Sequence, residues 1–275
     1  MTISAVYDYT GGSISTEKVI TIRKSTISAK ISSAQAAQRW PWNGIVDVDY
    51  TISLSPSGAK AVVRVAGYDV SRQKSLAARI VTGVTNVTSS GAYRLSWNVG
   101  QDYPNFNTDG LSIELYPKCL IPILFEANGG SSCAVQEFVE GETYGSLPTT
   151  SRSGYAFGGW YLESELQTAV TSSTIVNGND SKLYAKWNGN ACSISFDKQS
   201  GTGGTASTTA TYGSAMPSIT IPSRAGYTFG GYYTATGGSG TQYYTDSGTS
   251  ARVWDRTMTA REYLNSKSLE GAVLS

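Results

Sequence analysis

In IVDVDYTISL (45–54) apolar and polar residues alternate. Val46, Val48, Tyr50, Ile52 and Leu54 fall on one face; Ile45, Asp47, Asp49 and Thr51 fall on the other. A period of two marks a strand with one face buried. AYRLSWNV (92–99) places Tyr93, Leu95, Trp97 and Val99 together, and LSIELY (111–116) does the same with Leu111, Ile113 and Leu115. AKAVVRVAGYDV, SLAARIVTGV and, earlier, KVITIRK (18–24) read as further strands, with SPSG, SSG and NTDG as turns between them. Residues 1–117 show no helical period. Strands separated by such turns predict a β-sandwich.

From about residue 120 a longer pattern takes over, because the chain repeats itself. YAFGGWYLE (155–163) returns as YTFGGYYTA (227–235). Phe125 and Phe196 lie 71 residues apart, in LFEANGG and SFDKQSG. Tyr144 and Tyr212, which begin YGSLP and YGSAMP, lie 68 apart. Arg152, Tyr155, Phe157, Gly158, Gly159 and Tyr161 match residues 72 further on, so a small insertion falls around Ser218 to Pro222. Such a period is too long for a solenoid unit of about 20–50 residues, and each copy reads as a small domain. Tyr155 and Phe157 alternate onto one face, and the glycine pair lets the backbone bend before Trp160. Arg152 is placed to stack on a ring or to cap a strand edge. The duplicated stretch therefore repeats structure, with aromatic, glycine and arginine residues and no acid, base or nucleophile.

Composition narrows the function classes. Charged residues make up 15% of the 275, the net charge is +1, and Lys and Arg form no cluster. No field steers a polyanion, so nucleic acid is not an expected partner. The absence of histidine removes the commonest general base and zinc ligand. Cys119, Cys133 and Cys192 form no close motif, and an odd number forbids full internal pairing. MTISAVYDYTGG lacks a basic segment followed by an apolar one, and CLIPILF (119–125) is too short for a bilayer; neither a secretory signal nor membrane insertion is expected.

LFEANGG, YGSLP, RSGYAFGGWY and the closing LYAKW (183–187) resemble the Listeria–Bacteroides repeat family, also called internalin B-repeat-like modules. The resemblance covers about residues 121–188, and a second copy runs from 194 to about 256. It implies a β-grasp-like fold, with strands around a short helical or irregular segment, in tandem on bacterial surface and secreted proteins. ESELQTAV (163–170) is the helical candidate. QRWPWNGIVDVDY (38–50) resembles a β-module that accompanies these repeats. The second copy departs from the pattern. Trp160 becomes Tyr232, and WDRTMTAREYLNSKSLEGAVLS offers no second LYAKW. Its last strand is expected to be diverged or truncated, with the chain poorly ordered from about Ser266.

The expectation is a mainly β chain, with an N-terminal β-sandwich (1–117) followed by two small β-grasp-like repeats (118–188 and 189–275). Tyr155, Phe157, Trp160, Trp187, Tyr227, Phe229 and Tyr232 are the expected repeat core. Tyr161 and Tyr233, next to inward-facing neighbours, are the candidate partner-binding residues. Asp47 and Asp49 share a strand face and form a nominal carboxylate pair, but they read as solvent-facing charges that discourage edge pairing. NGG, GTGG and GGSG lack the lysine and helix of a phosphate loop and read as hairpin turns. No catalytic residue, cofactor, metal or oligomer is expected. The implied role is a non-enzymatic spacer and adhesion array, extracellular or at the cell surface, facing a host or cell-surface protein or glycan. The alternative is a carbohydrate-binding accessory module of a larger extracellular enzyme.

Overall fold

A computed structural model describes residues 27–41, 43–108, 110–256 and 262–270, the last stretch by its backbone and the side chain of Leu264. The strand expected at 18–24 lies outside these residues. The chain is mainly β and divides into two compact units. Among the described residues, one takes those up to Leu124 with 134–147 and 170–183; the other takes 125–133, 148–169 and those from Tyr184 onward.

The first unit holds a two-layer sandwich. Its strands are β1 (Ser28–Gln38), β2 (Ile45–Ser55), β3 (Lys60–Asp69), β4 (Lys74–Ala77), β5 (Val81–Gly83), β6 (Asn86–Val87), β7 (Gly91–Asn98) and β8 (Leu111–Glu126). One layer runs β1-β2-β7-β5, with β2 and β7 antiparallel from Ile45↔Asn98 to Ile52↔Gly91. In the other, β3 pairs with β4, β6 and β8. The alternation seen in the sequence selects what is buried: Val46, Val48, Tyr50 and Ile52 from β2 and Leu95 and Trp97 from β7 meet Ala61 and Val63 from β3. Leu111, Ile113 and Leu115 pack against the same core, half-buried. Trp97 lies directly over β3: a Cβ on Gly67 would come within 2.5 Å of its ring. Its indole N–H donates to Asp102, 2.7 Å away, and that carboxylate also accepts from the amides of Arg79 and Ile80.

β8 does not stop where the sandwich was expected to end. Residues 111–120 pair with β3, and Leu120 to Ile123 pair onward with β9 (Gln136–Val139). The boundary drawn between 117 and 118 thus falls inside one strand. The apolar run CLIPILF is the reason, since Cys119, Ile121, Ile123 and Phe125 are all buried. The first repeat continues through β10 (Tyr155–Tyr161), β11 (Ala169–Val170) and β12 (Lys182–Gly189), in the sheet order β9-β8-β12-β10-β11. The second has β13 (Ala191–Asp197), β14 (Ser207–Thr211), β15 (Tyr227–Tyr233), β16 (Gln242–Tyr244) and β17 (Glu262–Glu270), in the matching order β14-β13-β17-β15-β16.

Two expectations need correction. ESELQTAV is a turn followed by the short β11, not a helix. Leu166 has φ 55°, outside the helical region, and the Glu163 carboxylate accepts from the amides of Gln167 and Thr168, which draws the segment into a loop. The second repeat does have a closing strand. β17 lies between β13 and β15, and its Leu264 is fully buried, so residues 266–270 are strand. The missing tryptophan has a substitute: Trp254, 1% exposed, packs 4.7 Å from Tyr243 in the core with Ile194, Phe196, Tyr232 and Tyr244.

Candidate functional site

Each repeat uses the same aromatic device, a ring stack with an arginine clamp. In the first, Trp160 is 2% exposed and meets Phe125 at 4.8 Å and Phe157 at 5.3 Å. Its indole N–H donates to the Pro148 carbonyl at 2.7 Å. Phe157 and Trp187 are half-buried, 5.5 Å apart, and Trp187 donates to the Ala127 carbonyl. The Arg152 guanidinium lies 4.2 Å above the Tyr155 ring and donates to the Asn128 carbonyl in the glycine turn. The second repeat copies this. Arg224 lies 4.0 Å above Tyr227 and donates to the Gln199 carbonyl. Tyr232 is fully buried against Phe196 at 4.5 Å and Phe229 at 5.1 Å. Where Trp160 has a partner, however, the Tyr232 hydroxyl has none among the described residues, and burial pushes it up to about 12.

The two repeats meet at a joint built from matched residues. A single residue, Asn190, separates β12 from β13. Its amide donates to the Gly154 carbonyl and its carbonyl accepts from the Tyr212 amide, both at 2.9 Å. Tyr155 and Tyr212 pack edge to face, 5.1 Å apart. Side chains are excluded on both sides. A Cβ on Gly154 would come within 2.6 Å of the Tyr212 ring, and one on Gly189 within 2.2 Å of the Tyr212 carbonyl. Two hydrogen bonds at about 1 kcal/mol each and one edge-on aromatic pair give about 3 kcal/mol. Fixing the backbone of one linking residue costs about 1–2 kcal/mol. The packed arrangement wins. The sequence displayed Gly154, Tyr155, Tyr212 and Gly213 as repeated letters; nothing in it said that the halves from different copies meet.

The other singled-out residues are occupied structurally. Tyr161 and Tyr233 are half-buried rather than projecting. Lys186 lies 5.1 Å above the Tyr161 ring, and the Tyr233 hydroxyl donates to the Gly230 carbonyl. Asp47 accepts from Arg39 and, at 2.6 Å, from Ser96; these bonds, with Arg39 first, hold its carboxyl down at about 2. Arg94 forks onto Asp49 with two 2.6 Å bonds and lowers it as well. Asp69 is buried, but Ser71, Arg72 and Thr108 all donate to it. Among the described residues no group of three or more Cys, Asp or Glu is placed to hold a metal ion, and no helix is long and apolar enough to cross a membrane. Cys119 is buried, while Cys133 and Cys192 are half-buried, and none is in a disulfide.

A mainly β chain with two successive copies of one aromatic-cored, five-stranded arrangement, the first continuous with the sandwich sheet through β8, is, in class, a tandem-repeat protein. The repeat is that of the Listeria-Bacteroides repeat domain: residues 122–186 and 193–259 each match the family profile, so the chain carries two tandem copies. Two proteins of Evansella cellulosilytica are similar over part of their length. One, named "Putative membrane protein", is 32% identical over 125 residues, which is 44% of this chain and 19% of the relative. The other, named "Putative Gly-rich membrane protein", is 31% identical over 111 residues, or 40% of this chain and 13% of the relative. The matched region thus spans less than a fifth of either relative.

Proposed function

We propose that the chain works at the bacterial surface or outside the cell as a non-enzymatic spacer and adhesion element, holding a binding surface away from its point of attachment toward a host or cell-surface protein or glycan. The joint between the repeats carries this reading. A one-residue connection, two backbone hydrogen bonds and a Tyr155–Tyr212 contact are what a fixed spacing needs. A mere linker would be long, polar and rich in flexible residues. The repeat family and the names of the two relatives favour an envelope location. Asp47 and Asp49 on β2 favour a role without catalysis, since each carboxylate is already bonded to an arginine, Arg39 just past β1 and Arg94 on β7.

A carbohydrate-binding role needs exposed aromatic rings in a row. In the repeats the exposed large apolar side chains among the described residues are aliphatic: Leu124, Val135, Ile175, Ile221 and Val253. Among the described residues the exposed aromatic ones, Trp40, Tyr68 and Tyr116, lie in the sandwich unit, so the missing row of rings is a property of the repeats, and the joint between them is what favours the spacer reading. Antibody raised against the chain and applied to intact and permeabilised source cells tests it. Labelling of intact cells is expected; labelling that requires permeabilisation would sink the surface assignment.

A further inference from the structure

We propose that each repeat is a load-bearing module whose resistance to tension lies in its central pair of parallel strands. The inference rests on the spacer reading and adds to it a mechanical duty. The chain enters the second repeat at Ala191, the start of β13, and continues beyond Glu270, the end of β17. These two strands are neighbours and parallel, in register from Ile194↔Glu262 to Asp197↔Asn265. The entry and exit points therefore lie at opposite ends of the pair. Tension along the chain slides one strand past the other, so all four registered positions are loaded together. Had the ends emerged side by side, the same tension would open the rungs one at a time.

The neighbouring strands oppose slippage as well. β14 holds the outer edge of β13 from Ala191↔Thr211 to Ser195↔Ser207, and β15 holds β17 from Tyr227↔Glu270 to Tyr233↔Asn265. Phe196 and Leu264 are paired in register and both buried, so sliding also drags core side chains past one another. The first repeat has the same arrangement. The Leu124 amide bonds the Ser181 carbonyl at 3.0 Å, and the Asn128 side chain bonds the Ala185 carbonyl at 2.7 Å. Both partners advance by four residues, as parallel neighbours do. Between the copies, Asn190 alone passes the load from β12 to β13, without slack.

Optical-tweezer pulling of the full chain in two geometries tests this. Handles at Asn190 and the carboxyl end shear β13 against β17. Handles at Ser200, just past the far end of β13, and the carboxyl end peel the same pair apart. Asn190 and Ser200 are both exposed, and exposed Thr202 replaces Ser200 if the latter does not accept a handle. Each labelled chain is first matched to the unlabelled one in melting temperature. At one loading rate the rupture force is expected to be roughly two- to fourfold higher in the shearing geometry, since several rungs share the load rather than one. Equal forces in the two geometries would overturn the load-bearing assignment. They would leave the spacer reading to the antibody experiment, which is independent of force.

Discussion

Trp160 and Tyr232 occupy the same place in the two repeats and differ by one satisfied hydrogen bond. Trp160 fills the space between Phe125 and Phe157 and donates to Pro148. Trp160→Ala is expected to cost about 3–5 kcal/mol in chemical denaturation, as large aromatic truncations in cores do; an unchanged midpoint would remove it from the core. Tyr232→Phe should act in the opposite direction. Deleting a buried hydroxyl that has no partner among the described residues is expected to raise stability by about 1 kcal/mol, and a loss would show that the hydroxyl is satisfied. Asp47 sets a pH dependence. Its folded value, about 2, lies below its ordinary one, so the Arg39 contact stabilises fully above about pH 4 and is lost as the pH falls toward 2. Asp47→Asn should flatten that part of a stability-against-pH curve. The aromatic positions were legible in the sequence because they recur in order and because large rings are what a small core needs. Trp254 was not, since its role follows from a loop that folds back over Tyr243, and loop paths leave no periodic trace.

At the scale of elements, alternation located the strands well and the joint not at all. β2 and β7 stand where period-two patterns put them, and β3 fills the further candidate AKAVVRVAGYDV. Segment 163–170 was misread because its polar and apolar residues suit a helix, while a side-chain carboxylate bonded to backbone amides decides for a turn. The last strand was missed for a different reason. A central strand needs one well-placed buried side chain and backbone partners on both edges, and Leu264 supplies the former without any LYAKW-like motif. The joint rests on two glycines. Gly189→Ala would place a Cβ within 2.2 Å of the Tyr212 carbonyl and so push the second repeat off the first. Hydrogen exchange reads this directly: the amides of Asn190 and Tyr212, whose bonds tie the linking residue to the first and to the second repeat, should lose protection while those within β13 and β14 keep theirs. Retained protection at Asn190 and Tyr212 would show that the joint tolerates the methyl group.

For the whole molecule, the patterns along the chain announce three parts, whereas contacts gather into two units, with the division falling inside the first repeat. A repeat period cannot disclose this, because it marks what is copied and not which neighbours a strand acquires; β8 spends its first ten residues paired with β3. Deleting residues 257–275 removes the strand between β13 and β15. The second repeat is then expected to unfold and expose Trp254, seen as a red shift in tryptophan emission, while Trp97 stays shielded in the sandwich. An unshifted spectrum would mean that β17 is dispensable. The joint also has a meaning for how such genes change. Both copies carry both of its tyrosine–glycine pairs, Tyr144–Gly145 and Gly154–Tyr155 in one, Tyr212–Gly213 and Gly226–Tyr227 in the other. An unequal crossover between the copies at equivalent codons would keep the reading frame and regenerate a matching socket and ring at the new boundary. Recombination would then lengthen or shorten the array in whole-repeat steps, making length heritable as a simple copy number.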